Sequence, residues 1–233
     1  MASSPITSSL TQDSDFAAEL LLNRIMNGQM QPESGRTVTA ANRALASSFD
    51  QTAAGYGVLA ENVAFGKTIV QGTQNALTEL VNQVKSLGKL CSAADSALQA
   101  QTLALDIKQN IDDILATKVF GTDVLGNNGK TIAIGEASSE TMDVGQANVN
   151  AQGSAFNTLY TSLSSLTPSS VEPLCSAAVD ELYGAIAKQG AQYAVLSNRY
   201  DLLNDLASTY HKASDDEAKQ QSASQTTLLD VVM

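Results

Sequence analysis

The sequence has no tryptophan, only 5% aromatic residues, four prolines and a single histidine. Its apolar content, 43% of 233 residues, therefore falls mainly to Ala, Leu, Val and Ile, a helix-rich composition in a length that suits one or two domains. Basic residues are scarce as well: 13 Lys and Arg against 24 Asp and Glu leave a formal charge of −11. They form no cluster, which excludes the phosphate-binding surface that a nucleic-acid partner requires. One histidine and two cysteines cannot build a His/Cys metal cluster, so neither a metal nor a cofactor is expected. No stretch reaches about 18 consecutive apolar residues, and the opening MASSPITSSLTQDSDF lacks a basic segment followed by an apolar one. The expectation is a soluble chain without a membrane span, exported, if at all, without a cleaved signal.

What the sequence does carry is helical periodicity sustained beyond the needs of an ordinary globular helix. Val63, Gly66, Val70, Thr73, Leu77, Leu80, Val84, Leu87 and Cys91 alternate steps of three and four, which is an a/d heptad seam. Cys175, Val179, Leu182, Ile186, Gln189, Tyr193, Leu196, Tyr200, Leu203, Ala207 and Tyr210 open with a step of four and then do the same. A helix over 174–213 would be a rod roughly 60 Å long, and such rods need partners along their length.

Between the rods, residues from Ala93 to about Val119 predict a third helix, with Ala97, Ala100, Ala104, Ile107, Ile111 and Ile114 in one stripe and Ser92 as its cap. Leu98, Leu103, Leu105 and Leu115 lie off that stripe, so this helix should meet more than one neighbour. Gly121, Gly126, Asn127, Asn128 and Gly129 are turn formers. Two short strands, Thr131–Ile134 and Glu140–Val144, then read as a β-hairpin at about 130–145 that must pack on the helices. Phe156, Leu159, Tyr160, Leu163 and Leu166 suggest a short amphipathic helix stopped by Pro168. Asp15 to Met26 is a short helix candidate, with another helical stretch from about Val38 to Tyr56. After His211 the chain turns polar, and both tails read as segments that only a partner would order.

No set of residues stands out for catalysis. Gly126–Thr131 ends like a phosphate-binding loop, but Val124 stands where the first glycine belongs and a strand follows, so it reads as a turn. His211 reads as a solvated histidine near helix C-terminal carbonyls, followed by Asp215, Asp216 and Glu217. Asp112 and Asp113 are neighbours on a helix and do not face one another, so they read as a solvated acidic face rather than an acid/base pair. Cys91 and Cys175 share a pentapeptide, Leu-Cys-Ser-Ala-Ala, and each falls on a heptad seam, at the end of the first rod and the start of the second. If the rods pack antiparallel, a disulfide is geometrically plausible and would stabilise by about 4 kcal/mol. Two buried free thiols are the equal alternative.

Several local patterns together resemble bacterial flagellin. Ile25-Met26-Asn27-Gly28 stands in place of the family's Leu-Ser-Ser-Gly, and Val119-Phe120-Gly121-Thr122-Asp123-Val124-Leu125 is similar to its Phe-Asn-Gly-x-x-Leu-Leu, with the Asn missing. Ile132–Gly135 and Glu140–Val144 are similar to the flagellin hairpin, and Ser197-Asn198-Arg199-Tyr200 to its Gln-Asn-Arg-Leu or Gln-Asn-Arg-Phe. The match runs from about residue 16 to 220. It implies an extracellular, bacterial cell-surface filament subunit, exported unfolded by the flagellar type III route, whose terminal helices line a tube while its long helices form the wall. It also implies that Cys91 and Cys175 meet where the rods end, although cysteines are unusual in the family. The ends before Gly28 and after Arg199 are shorter than in typical flagellins, no insertion supplies outer variable domains, and Val84-Lys85-Ser86-Leu87 replaces the receptor-binding Arg-Glu-Leu.

The fold expected is therefore mainly α: an elongated antiparallel bundle or coiled coil of long helices with one small β-hairpin, like a flagellin core. Its parts are an N-terminal helix and loop 1–37 and a polar and apolar tail 214–233, both inner-tube-like, with a long-helix bundle core 38–213 between them. The bundle core is expected to rest on Val70, Leu77, Leu80, Val84, Leu182, Ile186, Tyr193, Leu196 and Leu203. Self-assembly is expected through Leu20, Leu21, Leu22, Ile25, Leu228, Leu229, Val231 and Val232, apolar residues on polar ends. The expected partners are further copies of the chain in a homopolymer, an export chaperone and a filament cap. A hook–filament junction protein and a secreted non-polymerising type III interaction protein are the rival readings.

Overall fold

The computed structural model of the protein describes residues 35–137 and 139–232, with side chains over 42–137 and 139–220. These residues form a mainly α fold of four helices with two small antiparallel ribbons. Helix α1 is Gly35–Ser92 and α2 is Ala97–Leu115; strands β1 (Lys118–Val119) and β2 (Thr122–Asp123) make the first ribbon, β3 (Lys130–Ala133) and β4 (Thr141–Val144) the second. Helix α3 is Ala155–Ser162, continued by a 3₁₀ turn at Leu163–Ser165, and α4 is Val171–Val232. The expected helix at 15–26 lies outside the described residues.

The chain divides into two compact units, one of residues 57–204 and one that includes the described residues 35–56 and 205–232. This division cuts both long helices and differs from the sequence division at 37/38 and 213/214. In the first unit every seam residue from Val63 to Cys91 is buried. On α4 burial is narrower: Cys175, Leu182, Gln189, Leu196 and Leu203, one per heptad, are buried, whereas Val179, Ile186, Tyr193 and Tyr200 are half-buried. Of the nine residues expected in the bundle core, seven are thus buried, and Ile186 and Tyr193 are half-covered. The two helices run antiparallel. The Gly88 backbone lies beside Cys175 and Gly190 beside Gln74, while Lys67 Nζ donates to Ser197 Oγ at 3.2 Å.

Lysine–tyrosine pairs flank this seam. Lys67 lies over the rings of Tyr193 and Tyr200, and Lys85 donates to the Tyr183 hydroxyl at 2.6 Å. Two buried polar residues interrupt it, Thr73 on α1 and Gln189 on α4. Both approach the same stretch of backbone: Thr73 lies by Gly145, and Gln189 Nε2 donates to the Gln146 carbonyl over a long 3.4 Å. A polar residue in an apolar seam fixes register at a cost in stability. Gln189→Leu should therefore gain about 1 kcal/mol, or about 3 °C in Tm, read by thermal melting.

The ribbons rest in notches on α1. A side chain at Gly72 would collide with Val119, and one at Gly66 with Ile132, so glycine there lets each ribbon come against the helix. The second ribbon pairs Lys130 with Val144 and Ala133 with Thr141, one residue out from the expected strand starts. Arg199 braces its turn end from α4: Nε donates to the Ile134 carbonyl, and Nη2 meets Glu140 Oε2 at 2.9 Å.

Four sequence expectations are corrected. Residues 38–56 and the first rod form one unbroken helix, since no proline occurs from 35 to 92. Ser92 ends α1 rather than capping α2; Ser96 is the cap, accepting from the Gln99 N–H at 3.2 Å. Helix α2 stops at Leu115, because Lys118–Asp123 folds into a ribbon that the sequence reading missed. The polar tail from 214 is helical as far as Val232: Glu217–Gln221 has good helix propensity, and no Gly or Pro follows to break the helix that α4 brings into it.

In the second unit, Tyr210 packs against Phe49 and Tyr56 with ring centroids 6.0 and 5.6 Å away, and Ser214 Oγ donates to the Ala46 carbonyl at 3.1 Å.

Candidate functional site

His211 is not near a helix end, because α4 continues past it. It is exposed, with Nδ1 3.6 Å from Asp50 Oδ1. Gly126–Gly129 is a loop leading into β3, whose first residues are Lys130 and Thr131, an arrangement without the helix N-terminus that a phosphate-binding loop uses. Asp112 and Asp113 point to different partners. Asp113 accepts from Gln109 Nε2 at 3.1 Å, whereas Asp112 joins Lys108 and Tyr160.

In that trio Lys108 Nζ lies 2.7 Å from Asp112 Oδ2 and 2.8 Å from the Tyr160 hydroxyl, which in turn donates to Asp112 Oδ1 at 2.5 Å. It ties α2 to α3 at the surface. Its hydrogen bonds, first from Lys108 and then from Tyr160, hold the Asp112 carboxyl below its ordinary 3.8. The same bonds, to Asp112 first, raise Lys108 above 10.5. A depressed carboxyl contributes stability that is present above pH 3.8 and lost as pH falls through its folded value. Asp112→Asn should lower the neutral-pH Tm slightly and flatten its decline between about pH 4 and 2, as thermal melts across that range would show.

Cys91 and Cys175 are both free thiols and both buried. The Cys91 thiol donates to the Ala100 carbonyl at 3.2 Å, and Cys175 packs on the Gly88 backbone. Burial pushes both thiols up. Cys175 is raised to about 12, with the neighbouring Cys91 as a second cause.

The described residues leave eight large apolar side chains exposed: Val58, Leu90, Leu98, Leu105, Phe120, Tyr183, Val195 and Leu202. Leu98 and Leu105 are one heptad apart on α2, opposite its buried stripe of Ala100, Ala104, Ile107, Ile111 and Ile114. The off-stripe leucines of the sequence already signalled this second apolar face. Phe120 was singled out only as part of a motif. It occupies the corner between β1 and β2 with φ +51, followed by Gly121 at φ +76, so both central residues of a two-residue turn are left-handed. Asn, Asp or Gly normally fill such corners, and a bulky side chain is strained there. Its ring is 64% exposed and lies 4.9 Å from that of Phe65, over which Lys130 Nζ sits at 4.6 Å. Phe65 and Lys130, with Asn62, Thr131, Ile132 and Ala133, line an adjoining cleft of about 310 Å³.

Of the residues expected in self-assembly, Leu20, Leu21, Leu22 and Ile25 lie outside the described residues. Leu228, Leu229, Val231 and Val232 fall on the helical backbone of α4, and their side chains lie outside the description.

Among solved structures the chain is similar to a flagellar hook-associated protein from Vibrio parahaemolyticus, at 13% identity and a TM-score of 0.47, over 76% of this chain and 96% of that one. No protein-family model and no curated protein sequence matches it.

Proposed function

We propose that the protein is a structural subunit of an extracellular helical filament of the flagellin type, which polymerises through its terminal helices. The observation that carries this reading is the set of eight exposed apolar side chains, seven on the helices and Phe120 at a ribbon corner, that lie outside the seam between α1 and α4. Fully burying an exposed side chain of this kind is worth about 1.5–3 kcal/mol, and roughly half of that from the 46–75% exposure seen here; a polymer of identical copies buries them on every subunit. The placement of the flagellin-like motifs supports it. Val119 of the Phe-Asn-Gly-like run enters the Gly72 notch, and Arg199 of the Asn-Arg run braces the hairpin. Both motifs therefore hold the subunit's own ribbons. In this reading the partners are further copies, an export chaperone and a cap.

Electron microscopy of the purified protein, and of fibres sheared from producing cells, tests the proposal. Helical fibres with a lumen are the expected result. Monodisperse protein at high concentration would overturn it in favour of a secreted, non-polymerising partner. Deleting Leu228–Met233 should abolish fibres while leaving the helical circular dichroism of the 57–204 unit in place. Fibres that survive the deletion would exclude assembly through this terminus.

A further inference from the structure

The corner at Phe120 is costly and unnecessary for the turn it makes. Asparagine and glycine are the residues that two successive left-handed positions favour, yet this chain places an exposed phenylalanine at the first of them. Strain kept at a solvent-facing position points to a use for the side chain outside the fold. Two cations lie near it, Lys130 above Phe65 and Lys118 two residues before, in a chain that has only 13 basic residues; the one carboxylate of the same ribbon, Asp123 opposite Lys118, is half-buried and accepts from the Leu125 and Gly126 N–H groups. The outer face of α2 has the opposite character. Leu98 and Leu105 are 75% and 51% exposed, and at 100° per residue Asp106 and Asp113 fall within the same arc of about 100° as these leucines, both exposed. Lys108, the one basic residue on that helix, is engaged with Asp112 and Tyr160.

One face is apolar with cations and the other apolar with carboxylates. Neither complements itself, and each complements the other. The geometry points to a contact in which Phe120 of one copy, with Phe65 and Lys130, seats on the Leu98–Leu105 face of α2 in the next copy. Two different patches joined in this way make a heterologous contact, which propagates into an open polymer instead of closing as a two-fold dimer. The inference rests on the filament reading and gives it a specific subunit junction. Aromatic side chains at the centre of a contact carry much of its energy, and opposed rim charges select the partner.

The test measures critical concentration by sedimentation of the full chain. Phe120→Asn suits the turn better, so its Tm should match or exceed that of the parent, while its critical concentration should rise at least tenfold. Two charge variants sharpen the result. Lys130→Glu alone opposes the acidic face, and Asp106→Lys with Asp113→Lys opposes the basic one, so each by itself should assemble at least tenfold more poorly. Mixed in equal amounts they should recover assembly, because alternating copies restore opposite charges at both junctions. Parent-like assembly of Phe120→Asn, or a mixture no better than its components, would overturn this contact and leave the filament reading standing. A parent chain that never sediments would overturn both.

Discussion

Neither thiol of the folded protein should react with a disulfide reagent at pH 8 on the timescale in which both react in denaturant. Thiolate is the reactive form, and a thiol at the ordinary 9.0 is about one-tenth ionised at pH 8. With Cys175 pushed up to about 12 by burial and by Cys91, its ionised fraction falls about a thousandfold. Steric cover slows reaction further, since both side chains are buried. The same shift makes a stability prediction. A thiol whose folded value is raised costs nothing below pH 9, but above it the unfolded chain releases a proton that the folded chain keeps. Stability should therefore fall by about 1.4 kcal/mol per pH unit from 9 toward 12, and Cys175→Ala should reduce that slope. The measurement is thiol titration with and without denaturant, joined to urea melts at pH 8 and 10. Fast native labelling would contradict the buried, raised thiols. A denatured chain that shows no thiol until reductant is added would mean that the two cysteines are bonded.

Phe156→Ala should cost 3–5 kcal/mol, a large part of the 5–15 kcal/mol that a domain of this size holds. Phe156 is fully buried and sits in the first turn of α3, an eight-residue helix too short to form without packing. The helix is fastened at its start by Glu181 of α4, whose carboxylate accepts from the N–H groups of Ala155 and Phe156 at 2.5 and 3.1 Å, where the helix dipole favours negative charge. Tyr160, one turn on and stacked 6.3 Å from Phe156, carries the link to Lys108 and Asp112. Removing the ring leaves a cavity under both fastenings. Urea unfolding of the full chain would give the loss, and amide exchange should quicken over α3 and the Lys108–Asp112 turn before it does over Leu77–Val84. A loss below about 1 kcal/mol would show that this ring does not anchor the helix.

Much of the architecture was legible because it is written in short-range periodicity. Steps of three and four placed the α1 seam, and each of its positions from Val63 to Cys91 is buried. Alternation and turn residues placed the β3–β4 hairpin within one residue. The reading failed where local signals compete. Lys118–Asp123 is too short for alternation to show, and its corner carries Phe120 instead of the residue that announces such a turn. The polar stretch after Ser214 has no apolar face, so periodicity could not separate a solvated helix from a disordered tail. The exposed contact surface was half legible. Leu98 and Leu105 stood off their stripe, whereas Phe120 became notable only with its backbone angle and exposure known.

By itself, then, the sequence determined the heptad seam of α1, the buried stripe of α2 and the β3–β4 hairpin, since each follows from residues within a turn or two of one another. It left open which of two states the cysteines adopt, which half of the α4 seam is covered and where the ribbons dock. Tertiary structure decided these, because each depends on residues far apart in the chain: Gly72 receives Val119, Arg199 reaches Ile134, and Gly88 lies beside Cys175. A notch and the side chain that fills it carry no mark of one another in sequence. Only the packed chain brings them to van der Waals distance, where shape and desolvation select one arrangement.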